Sequence, residues 1–123
     1  MINFKKLGVS FKSAFKGLGV AIKEEQTFQV QIMVGLIVLI LMFILPLESI
    51  ERVILILLIT LVLGMELINS QIERILDFSH LGFHPKIKRI KDLSAAAVLV
   101  VSLGAILGGL LILAPALLKV LNI

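Results

Sequence analysis

Along the chain, apolar residues fall into one periodic stretch and three long runs. Phe4, Leu7, Phe11, Phe15, Leu18 and Ile22 recur at spacings of three and four, while Lys5, Lys12, Lys16 and Lys23 lie largely off that face. This pattern predicts an amphipathic helix over 1–25, with its apolar side in the acyl boundary and its lysines among the head groups. It serves either as a simple anchor or as part of a site. The first run covers 30–47, eighteen residues without a charge, and ends at Pro46-Leu47. About 20 residues at 1.5 Å rise cross the hydrocarbon core, so this run is just long enough. The second covers 53–76: thirteen uncharged residues, Val53 to Met65, precede Glu66. The third covers 93–118, long enough to span with tilt. The expected architecture is therefore an all-α integral membrane protein: an interfacial helix plus three transmembrane helices in one domain, 1–123, without internal repeats.

Charge sets the expected orientation. Five lysines lie in the first 23 residues, and Arg74, Lys86, Lys88, Arg89 and Lys91 crowd 74–92. The 47–52 connector carries Glu48, Glu51 and one Arg, and the C-terminus only Lys119. Basic segments stay cytoplasmic. The N-terminus and the 77–92 connector are thus expected inside, the 47–52 connector and C-terminus outside, in a multi-pass protein of the cell (inner, cytoplasmic) membrane.

Composition narrows the chemistry. The 123 residues are 59% apolar and 16% charged, with a mean hydropathy of +1.15; a soluble domain is about half apolar and about a quarter charged. Without cysteine, disulfides, thiolate metal sites and a Cys nucleophile are excluded. Lysines interrupt any signal-peptide core, so cleavage is not expected. The net charge of +4, clustered beside apolar spans, points to lipid head groups or phosphates. No aromatic-interleaved basic motif suggests nucleic acid. His80 and His84, lacking a third ligand, make a poor zinc site. Gly104 and Gly108 allow close helix approach. Ser94 and Ser102 bond to backbone or neighbouring helices.

The informative polar residues form a stripe. With Glu66 at zero, Asn69 stands at about −60°, Glu73 at about −20° and Asp77 at about +20°, one narrow face over three turns. An acidic side chain at membrane depth costs roughly 2.5–3.5 kcal/mol, and neighbouring carboxylates repel. A cation, a water-filled cavity or protonation must offset this, so Glu66 is a functional candidate. Asp77 fits an emerged, solvated face as well. Glu24 and Glu25 precede the first span, and Lys91-Asp92 precede the third. Carboxylates from two helices with phosphate oxygens suit Mg²⁺ and point to phosphoryl transfer at the inner membrane surface.

Glu66-Leu67-Ile68-Asn69-Ser70, then Ile72-Glu73, Asp77, Lys91-Asp92 and Ala96-Ala97-Val98-Leu99, resemble the prokaryotic diacylglycerol kinase family, which includes undecaprenol kinases. Phe15-Lys16-Gly17-Leu18 and Glu25-x-x-Phe28 extend the resemblance over nearly the whole chain. It implies a homotrimer with composite sites between protomers, transferring the γ-phosphate of ATP to a lipid hydroxyl. Glu66 matches the catalytic base and Glu25 and Glu73 the Mg²⁺ ligands. Asn69 matches a polar residue near the reacting groups. Lys91 and Asp92 match a nucleotide-contacting pair, and Gly82-Phe83-His84 the nucleotide loop. Gln71, Ser13 and Lys6 depart from the pattern; Gln71, at about 140°, falls off the catalytic face. Glu25 is expected to meet Glu73 from a neighbouring chain. The rival reading is a non-enzymatic accessory subunit or ion-conducting oligomer with Glu66 on a polar path. Phosphate-directed groups at Glu25, Lys91 and Asp92 separate the two, because an ion path does not need them.

Overall fold

The computed structural model of the chain describes residues 1–80 and 82–123; Leu81, within the 77–92 connector, lies outside them. Among the described residues four α-helices follow in order: α1 Phe4–Glu24, α2 Gln26–Ile44, α3 Ser49–Ser79 and α4 Pro85–Val120. The last three are long and apolar enough to cross a membrane. The helix α3 is central, with α2 and α4 both packed on it, and α1 leans on α2.

Each helix end has a local cause. Asn3 caps α1, its Oδ1 accepting from the Lys6 amide at 3.1 Å, as a short polar side chain at this position does. At the α1–α2 corner Glu25 turns extended (φ −104°, ψ 102°). The Gln29 side-chain amide donates to the Ile22 carbonyl at 2.7 Å, supplying a partner to an end that otherwise lacks one. Ala21 and Phe28 are buried there. Pro46 forces Leu45 into an extended conformation (ψ 150°), because proline disfavours a helical predecessor. Glu51 restarts the chain as α3, its Oε2 accepting from the Glu48 amide at 2.9 Å. Pro85, in the first turn of α4, needs no amide partner.

The helices outrun the apolar runs that announce them. The second continues through polar residues to Ser79, and α4 begins eight positions before 93. Hydropathy stops at the first charges, whereas Lys and Arg are good helix formers and carry the backbone on. One consequence is that the 77–92 connector shrinks to a few residues between Ser79 and Pro85.

Close packing is concentrated at the end of the bundle by the α2–α3 turn. Met42, Leu45, Leu47, Leu55 and Ala116 form its buried cluster, backed by Val38, Leu39, Ile112 and Leu113. Glycine permits the contacts with α3: a Cβ on Gly35 would stand 3.2 Å from Ile59 Cγ2, and one on Gly108 2.9 Å from Leu58 Cδ1. Of the expected glycine pair, Gly108 is at the α3 contact, whereas Gly104 faces open space. Nearer mid-helix, α2 and α4 part over α3 and leave an apolar groove of about 380 Å³, bordered by Val34, Gly35, Ile59, Val62, Ser102 and Gly109 among others.

Candidate active site

The polar stripe of α3 faces inward over its first half. Glu66 is 5% exposed, Asn69 8% and Ser70 3%, the buried polar residues among those described. One further turn along, Glu73 is half-buried and Asp77 exposed. The stripe thus runs from the membrane interior to the surface. Gln71 is exposed, off the catalytic face as its angle implies.

The helix α2 brings a partner to this stripe. From α2, Gln31 donates through Nε2 to Glu66 Oε2 at 3.3 Å, and it also borders the apolar groove. Its own Oε1 is buried without a partner, as is Asn69 Oδ1. Asn69 donates through Nδ2 to Glu73 Oε1 at 3.4 Å. Glu25 and Glu73 both lie close enough to Glu66 to interact with it electrostatically. Three carboxylates and two unsatisfied amide oxygens therefore converge where the groove meets the stripe.

Arg74 is the cation at this cluster. Its Nη2 donates to Glu25 Oε1 at 2.7 Å and its Nε to the same oxygen at 3.1 Å. Nη2 also reaches Glu24 Oε2 at 2.8 Å. Glu25 is thereby fastened to α3 of its own chain. The turn at Glu25 folds it back onto α3.

The Arg74 guanidinium holds the Glu25 carboxyl below the ordinary carboxylate range. The Ser70 hydroxyl assists, and partial burial opposes. With the folded value lowered, this tether stabilises fully above the ordinary carboxylate range and is lost as pH falls through the lowered value. Amide protection in α1, corrected for intrinsic exchange, should accordingly hold from neutral pH down to the ordinary carboxylate range and fall progressively as pH drops from there through the lowered value. Loss of protection already near neutral pH would count against the tether.

The remaining expected site residues lie at the surface end. Lys91 ion-pairs with Asp77 on α3 and Asp92 with Lys88 one turn back on α4. The adjacent pair thus splits, Lys91 facing α3 and Asp92 facing outward with its side chain 61% exposed. Asp77 is exposed where it meets Lys91. Gly82 has φ +102°, a conformation that favours glycine, and Phe83 is exposed. His84 caps α4, its Nδ1 accepting from the Lys86 amide at 3.2 Å. Its ring packs edge-on against His80, centroids 5.4 Å apart. Lys6 and Ser13 are exposed on α1.

The donor set suits a hard divalent cation. All the acidic groups present oxygen, and Arg74 already stands as a positive charge on Glu25. Among the described residues, no group of three or more His, Cys, Asp or Glu side chains is close enough to hold a metal alone. Mg²⁺ bound mainly through substrate phosphates needs only one or two protein carboxylates.

Gln31 and Arg74 escape a sequence reading that counts 30–47 as apolar and 74–92 as topological charge. A polar side chain within a span is itself a signal. Gln31 follows buried Phe28 by three positions and precedes buried Gly35 by four, so it shares the inward face of α2.

Comparison with known proteins identifies the family. The family model "Prokaryotic diacylglycerol kinase" matches residues 12–113. A diacylglycerol kinase of Helicobacter pylori is 38% identical over 100 residues, covering 79% of this chain and 76% of that protein. An undecaprenol kinase of Bacillus subtilis is 36% identical over 106 residues, covering 86% of each. A diacylglycerol kinase of Synechocystis is 33% identical over 109 residues, or 87% of this chain, which spans 62% of that relative's length. These matches set aside the non-enzymatic reading, and with the three membrane-crossing helices and the inward acidic stripe they establish that this multi-pass membrane protein belongs to the prokaryotic diacylglycerol kinase family, a family of lipid kinases.

Proposed function

We propose that this protein transfers the γ-phosphate of ATP to the primary hydroxyl of a membrane lipid, either diacylglycerol or undecaprenol, with Mg²⁺ as cofactor. The observation that carries this reading is the buried Glu66. It stands where an apolar groove in the spans meets a carboxylate cluster that opens toward the surface. A lipid tail suits the groove and a charged nucleotide the surface, and the reacting atoms meet between them.

In this reading Glu66 accepts the hydroxyl proton as the oxygen attacks phosphorus, and Gln31, donating to Oε2, fixes the carboxylate's orientation. The partnerless Gln31 Oε1 and Asn69 Oδ1 are acceptors for donors on the incoming reactants. Glu25 and Glu73 are the metal's protein ligands; the ion, when bound, neutralises charge on the transferring phosphoryl group. Lys91, Asp92 and the Gly82-Phe83-His84 segment contact the nucleotide. Positioning and electrostatics supply most of the rate in this reaction class. The interfacial helix α1, joined to the site at Glu25, covers it from the head-group side.

The basic segments at 1–25 and 74–92 support an inner-membrane protein with the N-terminus inside and ATP reached from the cytoplasm. The assembly proposed is a homotrimer with sites completed between subunits. Purified protein given radiolabelled ATP with diacylglycerol or undecaprenol in parallel, read by thin-layer chromatography, tests the function. Label should appear in one lipid and identify the substrate; label in neither would overturn the reading.

A further inference from the structure

We infer that Arg74 is a built-in competitor for the divalent metal: it occupies Glu25 in the free protein, ties the α1–α2 corner to α3, and releases that carboxylate when the ion binds. This rests on the proposed function, in which Glu25 is a metal ligand. The geometry is specific. Two guanidinium nitrogens converge on Glu25 Oε1, at 2.7 and 3.1 Å. One of them also holds Glu24 at 2.8 Å. An oxygen accepting two charge-assisted hydrogen bonds has its lone pairs engaged, so a metal ion takes that oxygen only as Arg74 withdraws.

Electrostatics explains why such a group is present. Arg74 gathers Glu24 and Glu25 at α3, and Glu25 and Glu73 both lie near enough to act on Glu66. Among the described residues Arg74 is the cation in ion-pair contact with any of them. Without it the empty site is a cluster of like charges, which repel. With it the corner stays docked on α3, where α1 otherwise leans on α2. Arg74 follows Glu73 directly and so projects about 100° away from it around α3. It can therefore hold Glu25 without covering Glu73. Once displaced, its planar guanidinium remains beside the site, and that group pairs with phosphate as readily as with carboxylate.

The test is Mn²⁺ binding without nucleotide, in phosphatidylcholine nanodiscs, with free Mn²⁺ read by electron paramagnetic resonance. Four full-length proteins are compared: wild type, Arg74→Leu, Glu25→Gln and the double variant. Arg74→Leu should tighten Mn²⁺ at least about fivefold, the lower end of typical coupling between two competing binding events. In the Glu25→Gln background the same replacement should change affinity by less than about twofold, because the shared carboxylate is gone. Arg74→Lys, which keeps the charge but not the paired nitrogens, should fall between wild type and Arg74→Leu, and carries the test if the leucine variant does not fold. Unchanged or weaker binding in Arg74→Leu overturns the inference. So does a gain that persists undiminished beside Glu25→Gln, which would mark a diffuse field rather than competition. If Glu25→Gln alone leaves Mn²⁺ affinity unchanged, Glu25 is not a ligand and the metal assignment fails with the inference. Lipid labelling in the wild type then still judges the kinase reading separately.

Discussion

Glu66→Gln is expected to abolish turnover while making the folded protein more stable. The amide keeps the shape of the carboxylate and can still bond to Gln31, so the buried site closes around it. It cannot accept a proton from the lipid hydroxyl. Loss of a general base costs about 10²–10⁴-fold, and this loss should appear in kcat. The KM values for ATP and lipid should move little, since proton transfer is an interaction of the transition state alone. Stability should change in the opposite direction. A carboxylate 5% exposed inside a span, with Glu25 and Glu73 nearby, is costly to hold, and a neutral isostere removes that cost. Thermal unfolding in detergent and single-turnover labelling of the same preparation read both effects. Turnover within a few-fold of wild type would remove Glu66 as the base. A lower melting temperature would mean that the carboxylate is a structural keystone rather than a strained functional group.

How much of this was legible beforehand follows from which signals are local. The three spans and the face shared by Glu66, Asn69 and Glu73 depend on run length and a fixed angular step, both of which survive without tertiary information. Helix ends lie beyond the apolar runs where polar residues prolong a helix, as at Gln26, Ser79 and Pro85, because hydropathy and helix formation are different properties. Lys91 and Asp92, adjacent in sequence, diverge by about 100° on a helix and pair with different partners, Asp77 and Lys88, which adjacency alone does not tell. The attachment of Glu25 to its own chain rests on an extended residue at the corner and on Arg74, 49 positions away. No periodicity encodes such a contact.

That attachment changes what mixed oligomers should do. With Glu25, Glu66, Asn69 and Glu73 all gathered on one chain, inactive Glu25→Ala subunits mixed with inactive Glu66→Gln subunits should show no rescue. Every site then lacks one of the two carboxylates, whichever neighbours surround it. Asp92 is placed differently. Lys91 turns inward to Asp77, whereas Asp92 is exposed beside Lys88 and takes no part in the ion pairs that join Arg74 to Glu24 and Glu25. In the proposed trimer Asp92 is available to a neighbouring site. Asp92→Asn subunits, inactive alone if Asp92 contacts the nucleotide, should therefore regain activity when mixed with Glu66→Gln subunits. A working site forms where the cluster comes from the first kind of subunit and Asp92 from the second. For random equimolar mixing in a cyclic assembly this is about one site in four, so activity should recover to about a quarter of wild type. Cross-linking must show that the mixtures are hetero-oligomeric. Rescue by the Glu25→Ala and Glu66→Gln pair would mean that α2 and α3 of different chains share a site. Failure of the Asp92→Asn and Glu66→Gln pair would mean that each chain builds its site alone.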